Sequence, residues 1–276
     1  MTDTPIPPPA GPAQLPQGRG VTRRFASMRA ISALILREMA TRYGRSPGGY
    51  VWAVAEPLGM IIMLTLAFEA LVRVPPLGNT FILFFATGYL PFQLYMSVSN
   101  NVSRAVFFSR ALLFYPAVTW VDALAARFLL AILTDMLVMM LLFFAFIAIY
   151  DITILLDIGP VMLSLCLAAL LGLGVGVTNC VLFGFFPVWM NLWMILNRPL
   201  FIISGIFFLY EFVPQNVQTL LWWNPLVHIT ALMRKGFYPT YDAAFASPFY
   251  VLLIAVPLLF MGTLLMRRFH RDILNR

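Results

Sequence analysis

Long stretches of this sequence carry no charged side chain, and this property limits the fold more than any other. No Asp, Glu, Lys or Arg occurs between Asp157 and Arg198, or between Asp242 and Arg267. A bilayer-crossing helix needs about 20 mostly apolar residues. Charged residues make up 11% of the chain, against about 25% in an average soluble domain. The sequence therefore predicts an all-α integral membrane protein with no room for a large catalytic domain outside the membrane.

Six segments are predicted to cross the membrane. They cover approximately residues 51–72, 80–98, 124–149, 158–183, 192–210 and 243–266. These spans form a predicted transmembrane domain at residues 46–268. The prolines near the start of the chain predict a disordered cytoplasmic tail at residues 1–23, and a second short tail is predicted at residues 269–276.

Two further segments are predicted to lie at the membrane without crossing it. Residues 24–45 carry Ile31, Ile35 and Met39 at helical spacing, which predicts an amphipathic helix on the inner surface. Residues 211–242 are rich in aromatic side chains, including Trp222 and Trp223. We expect this segment to re-enter the outer face as short helices before the last span.

The distribution of arginine predicts the orientation. Arginine and lysine accumulate on the cytoplasmic side of membrane proteins. Arginines cluster before the first span, between spans two and three, and after the last span: Arg19, Arg23, Arg24, Arg29, Arg37, Arg42, Arg45, Arg104, Arg110, Arg267, Arg268, Arg271 and Arg276. Both termini are therefore predicted to face the cytoplasm. The net charge of +7 is explained by this topology, so we expect a lipid bilayer and no nucleic acid as its partner.

The sequence lacks the motif of a phosphate-binding loop. That motif ends in Lys followed by Ser or Thr, whereas the single lysine, Lys235, precedes Gly236. We therefore expect the chain to bind no cofactor and to hydrolyse no nucleotide by this mechanism. We expect no catalytic residue and no metal site, since His228 and His270 fall on opposite predicted sides of the membrane.

Two features of the spans leave alternatives open. Small residues recur at every fourth position of the fourth span: Ala168, Gly172, Gly176, Cys180 and Gly184. Such a stripe lets another helix approach closely, either within the chain or at a subunit contact or hinge. Asp135 in the third span is either a polar pair between helices or part of a proton relay.

Two motifs carry a resemblance to a known family. The first runs from Arg37-Glu38-Met39-Ala40-Thr41-Arg42-Tyr43-Gly44 through Gly49-Tyr50-Val51-Trp52 to Glu56-Pro57, and the second joins Asn224-Pro225-Leu226-Val227-His228 to Arg234 and Tyr238-Pro239. From about Arg24 to Arg268 the chain resembles the permease subunit of bacterial capsular-polysaccharide ABC exporters, within the ABC-2 type transporter superfamily. It departs from the family at Ala231 and Val188, where relatives often carry Glu.

The resemblance implies a half-transporter in the bacterial inner membrane. Two copies would form a homodimer and recruit two ABC ATPase subunits, which would bind ATP and Mg. The implied cargo is capsular or a related cell-surface polysaccharide, moved from cytoplasm to periplasm and received by periplasmic and outer-membrane export proteins. The alternative is an ABC-2 permease for another cargo, such as O-antigen, teichoic acid, a lipid or a drug.

There are three groups of candidate site residues, of which the resemblance implies the first two and the chemistry of sugars suggests the third. The ATPase-coupling group comprises Arg37, Glu38, Arg42, Tyr43, Gly44, Arg104 and Arg110, with anionic lipid as the other partner for the arginines and a specific pair expected for Glu38. The outer gate comprises Trp222, Trp223, Asn224, Pro225, His228 and Arg234, and an aromatic belt at the membrane interface is the alternative for the two tryptophans. Aromatic rings stack on sugar faces over a broad area, which favours a polymer path along Tyr89, Phe92, Tyr95, Phe201, Phe208 and Tyr210. Packing against lipid or core is the alternative for these rings.

Overall fold

A computed structural model describes residues 26–43, 48–114, 118–150 and 155–275. In these ranges the chain is helical and contains no strand, which confirms the predicted all-α class. The predicted tail at residues 1–23 lies outside them. The helices are α1 (Ala26–Tyr43), α2 (Gly49–Leu71), α3 (Phe81–Ser103), α4 (Ala105–Leu113), α5 (Trp120–Tyr150), α6 (Ile158–Phe185), α7 (Pro187–Ile203), α8 (Gln215–Trp222), α9 (Pro225–Phe237) and α10 (Pro248–Asn275).

Among the described residues, five helical segments are long and apolar enough to cross a membrane. They are α2, α3 with α4, α5, α6 and α10. Helix α7 has 17 residues and ends at Ile203, before the end expected for the fifth span at residue 210. Gly205 takes a φ of 79°, a left-handed conformation that stops a helix. The apolar residues that follow therefore leave the helix, although their composition is typical of one.

Helix α6 lies at the centre of the bundle, between α3 and α10. A Cβ atom built on Gly172 would lie 2.8 Å from the Tyr95 carbonyl oxygen of α3, and one on Gly174 would lie 2.8 Å from the Ala255 carbonyl oxygen of α10. A Cβ atom on Gly176 would lie 2.8 Å from Val102 Cβ of α3, and one on Gly184 would lie 2.7 Å from Ile273 Cγ2 of α10. The small-residue stripe therefore serves packing within the chain.

Replacing Gly176 by Val is expected to destabilise the bundle. The new Cβ would lie 2.8 Å from Val102 Cβ and 3.0 Å from the Ser99 carbonyl oxygen. Overpacking of this kind costs about 1–3 kcal/mol, which we expect as a lower melting temperature of the purified protein. The control is Gly59→Ala on α2, because a Cβ there meets nothing within 4 Å. Equal melting temperatures for the two variants would contradict this packing.

Packing is uneven around the bundle. Helix α3 is the most buried of the long apolar segments, whereas α2 leaves most of its surface uncovered. On α2 the Met63 and Leu66 side chains are exposed, and on α7 the Met194 and Ile195 side chains are exposed. The face formed by α2 and α7 is thus open beside the site described next.

Candidate functional site

A cleft of about 650 Å³ opens at the predicted inner end of the bundle. It unites side chains from α1, α2, α3, α4, α5 and α7. Its lining is Arg37, Glu38, Thr41, Glu56, Met60, Tyr89, Phe92, Gln93, Met96, Ser97, Asn100, Asn101, Arg104, Phe108, Arg127 and Phe201. Candidates from the predicted coupling group and from the predicted polymer path therefore share one cavity.

One wall of the cleft is a polar ladder on α3, formed by Tyr89, Gln93, Ser97 and Asn101. Residues four apart lie on the same helix face, and these span about 18 Å of helix at 1.5 Å per residue. The Tyr89 hydroxyl donates to Gln93 Oε1 at 3.2 Å, and Asn101 Nδ2 donates to the Ser97 carbonyl oxygen at 2.8 Å. Hydroxyl and amide groups both donate and accept hydrogen bonds, so this wall suits a ligand covered with hydroxyls.

Aromatic rings from α3 and α7 line part of the same cavity. The Phe201 ring on α7 lies 5.4 Å from the Phe92 ring and 6.1 Å from the Tyr89 ring, centroid to centroid. The other predicted path residues lie elsewhere. Tyr95 is buried beside α6, Tyr210 stacks on Phe245 with centroids 3.9 Å apart, and the Phe208 carbonyl oxygen accepts from Arg234. Only Tyr89, Phe92 and Phe201 of the six therefore line the cleft.

Arg127 of α5 contacts α1, α3 and α4 at the mouth of the cleft. Its guanidinium pairs with Glu38 of α1 at 2.5 Å and donates to the Asn101 carbonyl oxygen at 3.3 Å. It also lies 4.3 Å from the centre of the Phe108 ring. Glu38 thus has a specific partner inside its own chain.

The remaining coupling candidates are distributed around this mouth. The Arg37 and Arg104 side chains are exposed and line the cleft, and Arg110 is exposed on α4. Arg42 and Tyr43 belong to α1, but their side chains lie outside the described part of the chain, as does Gly44.

A second groove, of about 700 Å³, continues the cleft toward the open face of α2 and α7. Both cavities share six residues, which are Met60, Phe92, Met96, Asn100, Arg104 and Phe201. The groove adds Met63, Leu64, Met194, Asn197, Arg198, Ile202 and Phe207. The site therefore has a polar inner part and a methionine-rich side opening.

At the outer end, side chains of α9 form hydrogen bonds with residues 204–208, the segment that follows α7. Arg234 is 2% exposed and donates to the Phe208 and Ile206 carbonyl oxygens, both at 3.0 Å. Its guanidinium carbon lies 4.1 Å from the centre of the Phe84 ring. Burial lowers the pKa of the Arg234 guanidinium to about 10, so it stays charged at neutral pH.

Two more side chains of the predicted gate region complete this attachment. Asn224 Nδ2 donates to the Ile203 carbonyl oxygen at 3.0 Å, and Thr230 Oγ1 donates to the Ser204 carbonyl oxygen at 3.0 Å. Carbonyls at a helix end have no partner within the helix, and these donors satisfy them. Asn224 also begins α9 by accepting from the Leu226 N–H, with Pro225 at the first helical position.

His228 is fully buried with both ring nitrogens in use. Nδ1 accepts from the Ser247 N–H at 3.1 Å, so Nε2 carries the proton and donates to the Trp222 carbonyl oxygen at 2.8 Å. Burial lowers the pKa of His228. Trp222 packs on the Tyr250 ring, whereas Trp223 is 67% exposed. These contacts give His228 a structural, hydrogen-bonding role at the outer end.

We expect stability to fall in acid because of His228. An unfolded histidine binds a proton near pH 6.5, and the folded one resists it because its pKa is lowered. The contribution of neutral His228 to the free energy of unfolding is therefore intact above pH 6.5. It is lost as the pH falls below that value, by up to about 1.4 kcal/mol per pH unit. Melting curves between pH 7.5 and 5.5 should show a larger drop for the wild type than for His228→Gln. Identical pH dependence of the two proteins would contradict this.

Sequence reasoning missed several residues of the cleft. Gln93, Ser97 and Asn101 belong to an apolar span, and the signal available was the recurrence of polar residues at every fourth position. Arg127 was a charge inside a predicted span, which is itself a pointer to function. The two departures from the family motifs differ in setting, since Ala231 is buried in α9 and Val188 is exposed at the start of α7.

Comparison with known proteins identifies the group to which this architecture belongs. The family model for the ABC-2 type transporter matches residues 29–238. The chain belongs to the ABC-2 type transporter family. The match begins within α1 and ends just after α9, so it includes every element that lines the cleft.

Curated relatives of this ABC-2 type transporter share nearly its whole length. It is 28% identical over 245 residues to the capsule polysaccharide export inner-membrane protein CtrC of Neisseria meningitidis serogroup A, covering 89% of this chain and 92% of that protein. It is 31% identical over 240 residues to the polysialic acid transport protein KpsM of Escherichia coli, covering 86% and 92%. It is 27% identical over 247 residues to the capsule polysaccharide export inner-membrane protein BexB of Haemophilus influenzae, covering 89% and 92%.

Proposed function

We propose that this ABC-2 type transporter is the permease subunit of an ATP-driven exporter of capsular polysaccharide in the bacterial inner membrane. The names of CtrC, KpsM and BexB support this cargo. The observation that carries the proposal is the cleft, whose lining combines the polar ladder with the aromatic rings of Phe92 and Phe201.

The lining of the cleft matches the chemistry of a glycan. A sugar presents hydroxyls that need hydrogen-bonding partners and C–H faces that pack on aromatic rings. Gln93, Ser97 and Asn100 supply the first kind of contact, and Phe92 and Phe201 supply the second. A polymer must slide, so many weak contacts suit it better than a few strong ones.

The outer end supports a closed exit in the proposed cycle. Gly88 is next to Tyr89 at the end of the ladder, and a Cβ there would lie 3.0 Å from Arg234 Nη2 and 3.2 Å from Ile206 Cα. The segment held by Arg234 therefore lies directly outward of the cleft. In this proposal α8 and α9 are re-entrant helices, and the polymer passes outward when α9 releases that segment.

The open face of α2 and α7 is the proposed contact with a second copy of the chain. Its apolar side chains are exposed, and the groove beside it lacks a wall. A two-fold dimer would close both grooves into one pathway. In this arrangement α7 is the fifth of six membrane-crossing helices and both termini face the cytoplasm.

The energy source in this proposal is a separate pair of ATPase subunits, which bind ATP and Mg. The exposed Arg37, Arg104 and Arg110 surround the inner mouth and suit acidic groups on such a partner. Phe107 on α4 is exposed beside them. At the outer face, periplasmic and outer-membrane export proteins would receive the polymer.

Deletion of the gene tests the cargo. We expect surface polysaccharide to disappear and polymer to accumulate inside the cell, because synthesis continues while export stops. Extraction of cell-surface and intracellular glycan measures both pools, with the complemented strain as control. Loss of a different surface polymer with an intact capsule would contradict the assignment.

A further inference from the structure

Helix α1 is joined to the inner mouth through one buried arginine. Arg127 contacts Glu38 of α1, the Asn101 carbonyl oxygen near the end of α3, and the Phe108 ring of α4. The side chain of Arg127 is 7% exposed and that of Glu38 is 25% exposed. An ion pair shielded from water in this way is screened little by salt.

The position of these contacts matters for the shape of the cleft. Asn101 is the last rung of the polar ladder, and the chain bends at Arg104, between α3 and α4. Helix α1 packs mainly along α5 and makes few contacts with α2. Motion of α1 is therefore expected to act first on α5 and on the bend, although α2 follows α1 in the sequence.

We propose that the Glu38–Arg127 ion pair is a strut that transmits motion of α1 to the inner mouth of the cleft. This inference rests on the proposed function, because the ATPase subunits supply the motion. When α1 moves, Glu38 carries Arg127 with it, and Arg127 moves the Asn101 carbonyl and the Phe108 ring. Both residues are thus positioning residues for transport.

The first test is a double-mutant cycle in the complete permease–ATPase complex in proteoliposomes. Glu38→Gln, Arg127→Gln and the double variant are compared by polysaccharide moved per ATP hydrolysed. We expect each single variant to lower this ratio about tenfold, within the range of coupling between contacting residues. The double variant should be no worse than Arg127→Gln alone. The control is Arg29→Gln, an exposed arginine on the same helix, which should retain the wild-type ratio.

The second test measures the strut without transport. Amide hydrogen exchange of α1 is followed in the same complex without nucleotide. Glu38→Gln should raise exchange in α1 and in residues 101–108, whereas Arg29→Gln should not. Glu38 is the safer site for this measurement, since it is the less buried partner and its variant is expected to fold.

The outcomes separate the strut from the proposed function. A wild-type complex that hydrolyses ATP and moves no polysaccharide contradicts the proposed function. It also contradicts the strut, because the strut requires that function. An active complex in which Glu38→Gln and Arg127→Gln keep the wild-type ratio contradicts the strut alone. Additive losses in the double variant also contradict it, because they mean that the two side chains act independently.

Discussion

Attaching a charged group at position 97 is expected to stop export while leaving the fold intact. Ser97 is a half-buried rung of the polar ladder and lines the cleft. In a Ser97→Cys protein, a negatively charged methanethiosulfonate reagent would place a sulfonate where the polymer contacts α3. We expect export to fall at least tenfold, because the added group fills part of the cleft and its charge must lose water when the polymer packs beside it.

Two controls make this block specific. Cys166 is first replaced by Ser because it is exposed and would react with the reagent. Cys180 is buried and can be left in place. Asp272→Cys, an exposed position at the predicted cytoplasmic end of α10 and away from the cleft, is labelled in parallel and should retain export. Reduction of the mixed disulfide should restore transport at position 97. Full export with quantitative labelling of Cys at 97 would show that the polymer does not pass this wall.

Replacing Arg234 by Met is expected to be the most destabilising single change at the outer end. The variant removes both donors to the Ile206 and Phe208 carbonyl oxygens and the contact with Phe84. A buried and a partly buried carbonyl oxygen then lack this donor, and an unpaired buried acceptor costs about 1–3 kcal/mol. We expect a loss of about 3 kcal/mol or more, seen as a lower melting temperature and a smaller folded fraction in detergent.

The neighbouring lysine is the matched control. Lys235 pairs with Asp242 at 3.2 Å, and both side chains are largely exposed. Surface pairs of this kind contribute about 0–1 kcal/mol, so Lys235→Met should melt close to the wild type. Arg234→Lys should be intermediate, since one ammonium cannot reproduce the planar fork of arginine. Equal stability of the two methionine variants would contradict the anchoring role.

Much of the bundle is predictable from the sequence because a membrane imposes simple rules. Apolar stretches with few charges locate α2, α5 and α6 to within about four residues, since each must bury its backbone polar groups in its own helix. Helix α10 was located less well, because it begins at Pro248 and continues to Asn275 through most of the predicted tail at residues 269–276. The glycine stripe of α6 indicates a close helix contact, and α3 provides it. Periodicity likewise predicts α1, whose described bounds fall within the expected 24–45.

The site was harder to predict for physical reasons. Along the sequence, the residues of the polar ladder alternate with Leu94, Tyr95 and Val98, which lie on other faces of α3. The mean hydropathy of a sequence window therefore does not show the ladder. The end of α7 depends on a backbone turn at Gly205 inside an apolar run. Glu38 and Arg127 are 89 residues apart, and a single sequence gives no signal for such a pair.

The most direct test of the account is transport by purified components. This chain and its ABC ATPase are reconstituted in proteoliposomes with both ATPase domains on the outside of the vesicle. Capsular polysaccharide and ATP are then added to the outside. The account predicts ATP-dependent accumulation of polysaccharide inside the vesicles, and none with either protein alone. Nucleotide hydrolysis by this chain alone would contradict the account, as would an actively hydrolysing complex that leaves the polysaccharide outside.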